Sequence, residues 1–144
     1  MRALAILLAL WTTCAAAQDW GDLDGLLDRS LGDGRPLAAG GYWLPDNVDP
    51  AQARSALGVI YPVIVGAAGN FEIRAGIFRR TTTGFALSVP VSGLFGTRPR
   101  DAAFLSDRIE VTTTMPQPGE PRCCPTGTAR WRIDPQTGAA ARLD

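Results

Sequence analysis

Residues 71–91 read FEIRAGIFRRTTTGFALSVPV, with apolar side chains on nearly every second position. Phe71, Ile73, Ala75 and Ile77 share one side of an extended chain, while Glu72 and Arg74 take the other. Phe78 breaks the polar side, as a residue covering a sheet edge would. Residues 81–84 supply a turn, and Phe85, Leu87, Val89 and Val91 again line one face, so the two runs predict a hairpin. Later runs repeat the alternation. In DRIEVTTTM, Ile109, Val111, Thr113 and Met115 oppose Glu110, Thr112 and Thr114; in TARWRID, Ala129, Trp131 and Ile133 oppose Arg130 and Arg132. The threonines are ordinary strand formers and need no catalytic role. A turn over 135–138 leads to a short last strand through Leu143. From Gly58 the run IYPVIVG is also strand-like, although Pro62 argues against full pairing.

Elsewhere the period changes or vanishes. Leu23, Leu26, Leu27 and Leu31 fall near one side of a short helix, which Asp19 or Asp22 can cap and Gly32 or Gly34 can stop. The stretch 34–50 reads as a long irregular connection, followed by a helical turn over 50–57, since Asp49 precedes a proline suited to the first helical position. Residues 93–103 read as another connection. Residues 115–127, MPQPGEPRCCPTG, carry four prolines, which remove backbone donors and fix φ repeatedly. A stiff excursion between two strands is expected there. The whole predicts an α+β fold: a small, mostly antiparallel sheet domain with a short N-terminal helix. Half-polar strand faces suit a sheet open to solvent on one side, and the pattern leaves open whether it closes part-way into a barrel.

The first seventeen residues, MRALAILLALWTTCAAA, have one basic residue, an apolar run and a small-x-small ending at Ala15-Ala16-Ala17. This reads as a secretory signal, too short for a lasting membrane span, with Gln18 as the new N-terminus. Cys14 is preceded by Leu10-Trp11-Thr12-Thr13, a poor context for lipid attachment, so it leaves with the leader. The expected organisation is a signal peptide at 1–17, a helix and irregular packing segment at 18–57, and an antiparallel β domain at 58–144 with a proline- and cysteine-rich loop at 116–127. Periplasm or the cell exterior is the expected location, with no integral membrane span after cleavage.

Charge and composition then remove whole classes of function. Beyond the leader, 13 arginines face 14 acidic residues, with no lysine or histidine. No basic stripe suggests nucleic-acid binding; Arg79-Arg80 and Arg98-Pro99-Arg100 read as solvated surface. Without histidine, Ser-His-Asp, Cys-His and histidine-metal mechanisms have no base or ligand. No GxSxG, GxGxxG or P-loop occurs, and Asp22/Asp24 and Asp46/Asp49 lack the ligand density of a calcium loop. No catalytic residue, metal or cofactor is therefore assigned.

The adjacent Cys123 and Cys124 are the remaining chemistry, and three readings stay open. A vicinal disulfide suits an oxidising compartment, but neighbouring Cα atoms lie about 3.8 Å apart, below the usual disulfide span of roughly 4.4–6.8 Å. Free thiols are the second reading; metal binding or pairing with another chain is the third. Thioredoxin-like exchange normally needs Cys-x-x-Cys at a helix start, which this pair lacks.

The run LSDRIEVTTTMPQPGEPRCCPTGTARWRID resembles the signature region of secreted bacterial proteins related to the LppP/LprE-type lipoproteins. Asp107, Arg108 and Ile109 match that group's strand-entering element, with Ser106 in place of its glycine. The run 118–125 matches its CCP loop, with Glu120 for aspartate, and Thr128, Arg130, Trp131 and Ile133 match its closing strand. The likeness covers roughly residues 69–134 and implies an exported β-rich domain with no assigned catalytic activity. It also suggests that Asp107 or Arg108 supports the cysteine loop, together with Pro121 and Pro125, through the fork geometry of arginine.

The leading expectation is an exported, non-enzymatic envelope module that binds a protein or small ligand. Tyr42, Trp43, Arg122, Cys123 and Cys124 are its candidate contacts. A structural subunit of a periplasmic assembly and a weak thiol/disulfide redox enzyme are the alternatives.

Overall fold

The computed structural model describes residues 19–67 and 69–143, so the expected signal peptide and Cys14 lie outside the described residues. A short helix α1 (Leu23–Leu27) continues into a wider π-type turn (Asp28–Gly32). Eight strands follow: β1 (Tyr42–Pro45), β2 (Ser55–Ile60), β3 (Arg74–Thr81), β4 (Gly84–Val91), β5 (Thr97–Phe104), β6 (Ile109–Met115), β7 (Gly127–Ile133) and β8 (Ala140–Arg142). They form two four-stranded antiparallel meanders, β1-β2-β3-β4 and β5-β6-β7-β8. The fold is α+β and mostly β, as the alternation predicts.

The main core lies between the sheets. Leu57, Val59, Ala75 and Ile77 of the first pack with Ile109, Val111, Ala129, Trp131 and Ile133 of the second, and Tyr61 and Leu94 join them. The first sheet buries its other face too, because Leu27 and Leu31 of the helical segment pack there on Ile60 and Phe78. Gly58 makes that docking possible: a Cβ on it would collide with the side chains of Leu27 and Phe78. Asp22 caps the helix, its carboxylate accepting the Gly25 N–H at 2.8 Å. At the far edge the sheets are stitched through Ser92, whose N–H donates to the Gly138 carbonyl at 2.9 Å and whose carbonyl accepts from Ala140 at 2.8 Å.

Several local expectations are corrected. Phe78 does not cover an edge; it is fully buried beneath the helix. Phe85, Leu87, Val89 and Val91 do not line one face. The β3–β4 register pairs Ile77 with Val89 but Phe78 with Leu87, so a bulge at Ser88 sends Phe85 and Leu87 to the helix side and leaves Val89 and Val91 in the main core. The helical turn expected over 50–57 is realised only as a single turn, in which Gln52 and Ala53 donate to Asp49, and strand begins at Ser55. The first three residues of that strand, and all of β1, sit in the stretch 18–57 read as helix and irregular packing. The connection expected at 93–103 is largely β5, disguised because its register slips between Thr97 and Arg100 and again between Arg100 and Ala103. Each slip adds one residue to β5 and is accompanied by a left-handed residue, Arg98 at φ 49° and Asp101 at φ 54°. Two bulges in eight residues erase a period of two.

Candidate functional site

The loop between β6 and β7 closes directly on a paired Met115 and Gly127, so its residues project from the end of a hairpin. With four prolines it cannot pair with itself, and a carboxylate takes over. Glu120 accepts the Gln117 N–H at 2.9 Å and the Thr126 N–H at 3.0 Å, and also the Thr126 hydroxyl. These donors hold its pKa below the ordinary 4.5, the Gln117 N–H contributing most. Gln117 Nε2 adds a bond to Thr126 Oγ1 at 3.0 Å, and the Cys124 N–H donates to the Pro121 carbonyl at 3.3 Å. The expected support from Asp107 and Arg108 is not there. Both precede β6 whereas the loop follows it, and seven strand residues at about 3.3 Å each separate them by roughly 20 Å. Arg108 instead bonds Asp107 at 3.0 Å and Glu110 at 2.8 Å.

Cys123 and Cys124 are exposed and joined by a trans peptide, with their sulfur atoms 2.6 Å apart, closer than van der Waals contact yet longer than a disulfide bond.

Cys123, Arg122 and Pro125 form one wall of an open groove of about 640 Å³. The opposite wall holds Tyr42, at the start of β1, with Tyr61 and Phe71. Tyr42 and Tyr61 meet edge to face at 6.0 Å and 85°, and Tyr61 and Phe71 at 5.5 Å and 84°. Such mutually perpendicular rings hold one another's orientation, with Tyr61 buried behind while Tyr42 and Phe71 keep apolar surface on the groove side. Tyr61 is buried and donates to the Gly96 carbonyl at 3.3 Å; burial, then the neighbouring Tyr42, push its pKa up, so it stays a neutral phenol. Phe71 is 44% exposed. A second cavity of about 520 Å³ shares Tyr61, Phe71 and Thr97 and extends along Leu94 and Phe95.

The groove floor is set from the core. Trp131 Nε1 donates to Thr113 Oγ1 at 2.8 Å, and that hydroxyl donates to the Phe95 carbonyl at 2.8 Å. This relay fixes the backbone just before Thr97 and Arg98, both of which border the groove. Gly96 passes so close that a Cβ would lie 2.5 Å from Thr113 Oγ1, and its φ of 100° suits glycine alone.

Among the expected contact residues, then, Tyr42, Arg122 and Cys123 come together at the groove. Cys124 stays in the loop without lining it, and Trp43 lies on the other face of β1, against Phe78 at 5.3 Å and Phe85 at 5.2 Å. Its indole N–H is buried without a partner among the described residues. Sequence reasoning missed Tyr61, Phe71, Arg98 and Glu120. Only Glu120 carried a signal: an acidic side chain between prolines, in a loop whose amides lack strand partners.

No family model matches this chain, and no curated protein or solved structure resembles it significantly.

Proposed function

We propose that the chain is an exported envelope module that binds a small ligand in the groove between the Tyr42 wall and the cysteine loop. The observation that carries this reading is the groove itself, an aromatic surface opposed by a loop that Glu120 holds in shape. Its size falls within the range of ligand sites, roughly 300–1,000 Å³. Prolines and the Glu120 carboxylate bonds lower the cost of ordering the loop on binding. Export rests on the leader at 1–17 and on the resemblance to LppP/LprE-type proteins. Among the described residues no helix is long and apolar enough to cross a membrane.

Native mass spectrometry of the mature protein, purified from cells that export it, tests the proposal. A chain beginning at Gln18 with a co-purifying small molecule, displaced when Cys123 is capped by a bulky maleimide, is the expected result. A chain that retains Met1 would remove export. A ligand-free chain whose groove resonances stay unmoved in envelope extract would remove binding.

A further inference from the structure

Most of the described arginines have a side-chain hydrogen-bond or ion-pair partner. Arg35 and Arg74 meet Glu72, Arg74 also meets Asp33, Arg108 meets Asp107 and Glu110, and Arg130 meets Glu110. Arg54, Arg98, Arg122 and Arg132 have none among the described residues, and of these four only Arg98 and Arg122 border the groove, which no acidic residue lines. The nearest carboxylate along the chain, Glu120, is occupied by the loop's own donors. Arg98 is moreover held at φ 49° in a β5 bulge and precedes Pro99, whose ring crowds the residue before it. A left-handed backbone disfavours a side chain such as arginine, so folding alone would favour glycine here. Strain kept at a cation that borders a cavity points to a use for the cation.

We propose that the groove takes an anionic amphiphile: an apolar body laid on the Tyr42 and Phe71 rings, which the buried Tyr61 backs, carrying one carboxylate received by Arg98 and Arg122. This rests on the groove being the binding site and names its ligand class. Guanidinium groups bind carboxylates through paired N–H donors, and the flanking rings lower the local dielectric in which that attraction acts. The thiols of Cys123 and Cys124 take no part in recognition; Cys123 contributes surface only.

Calorimetric titration with 2-naphthylacetate and dodecanoate, each against its neutral counterpart, 2-naphthylacetamide and dodecanol, tests the class and separates an aryl from an acyl body. The expected result is that at least one anion binds ten-fold or more tightly than its neutral partner. Arg122→Gln and Arg98→Gln should each weaken that anion about ten-fold and leave the neutral compound unchanged. Arg98→Gly is the second readout: it should lose the anion without lowering the melting temperature, because the glycine accepts the left-handed backbone. Neutral compounds binding as tightly as the anions, in a manner lost in Phe71→Ala, would overturn the anionic class while keeping the groove as a site. Absence of anion binding up to millimolar concentration, or anion affinity unchanged in both glutamine variants, would also overturn the inference. A co-purifying neutral molecule in the native mass spectrum would still uphold the groove in that event.

Discussion

At the start of β6 two arginines meet carboxylates: Arg108 lies against Asp107 and Glu110, and Arg130 reaches Glu110 from β7. The guanidinium groups, Arg108 first, hold the Glu110 pKa below its ordinary value. At the other end of the same strand, Arg98 and Arg122 border a groove without acidic lining, and the one carboxylate in the loop is turned inward onto backbone amides. The same residue types thus build a charge-balanced end and an end with cations to spare. Surface ion pairs stabilise little, so the balanced end costs the fold almost nothing to keep or lose. The unbalanced end is the informative one, since a cation beside apolar rings keeps its charge for something else.

The largest effect expected from breaking this contrast comes through the floor of the groove. Trp131→Ala should cost about 3–5 kcal/mol, from a large cavity in the main core and loss of the bond to Thr113. Thr113→Val is the sharper version. It keeps the volume but leaves the Trp131 N–H and the Phe95 carbonyl without partners, for about 1–3 kcal/mol. Chemical denaturation measures both. Hydrogen exchange should show the Thr113 variant loosened over residues 95–98, with the balanced end near Arg108 unchanged. Equal loosening at both ends would mean that the relay does not single out the groove floor.

These side chains also show what could be read without coordinates. Ile109, Val111, Thr113, Ala129, Trp131 and Ile133 alternate without interruption because β6 and β7 pair in unbroken register, and they were legible as one buried face. Strand β4 alternates just as cleanly in sequence, yet one bulge divides its apolar residues between two cores. Periodicity reports which residues are buried, and the partner strand decides on which side. Strand β5 was hidden altogether by its two bulges. The groove was only half legible for a related reason: Tyr42, Tyr61 and Phe71 come from three separate segments and meet through tertiary packing, whereas the loop residues are adjacent in sequence. Trp43 misled because neighbours on a strand face opposite ways.

A smaller effect is expected at the loop. Glu120→Gln keeps the size of the side chain but removes the charge that collects the Gln117 and Thr126 donors. The loop should open, and Cys123 and Cys124 should react several-fold faster with 4,4′-dithiodipyridine, a reagent that works in acid. The folded pKa of Glu120 is depressed, so its contribution is present above the ordinary value of 4.5 and is lost as pH falls through the lower folded value. The unmodified protein should therefore show thiol reactivity rising in acid toward that of the glutamine variant, which should itself change little over the same window. Matching profiles in the two proteins would remove Glu120 as the loop's anchor. The same titration counts the thiols: two reacting groups before any reductant is added correspond to the free pair, and none to a closed vicinal disulfide.

The smallest effect should come from Arg108→Ala, and its smallness is the point. Resemblance to CCP-loop proteins suggested that Asp107 and Arg108 pin the cysteine loop, whereas β6 holds them about 20 Å away from it. Removing the guanidinium frees Asp107 and Glu110 from exposed ion pairs at an end of the sheet that the groove does not touch. Thiol reaction rates and the affinity for 2-naphthylacetate should both stay within two-fold of the unaltered protein. Glu110 keeps Arg130 at 2.8 Å, so even the local charge balance survives in part. A several-fold change in either measurement would mean that the two ends of β6 are coupled through the sheet. Arg108 would then act on the groove from a distance that its own contacts do not span.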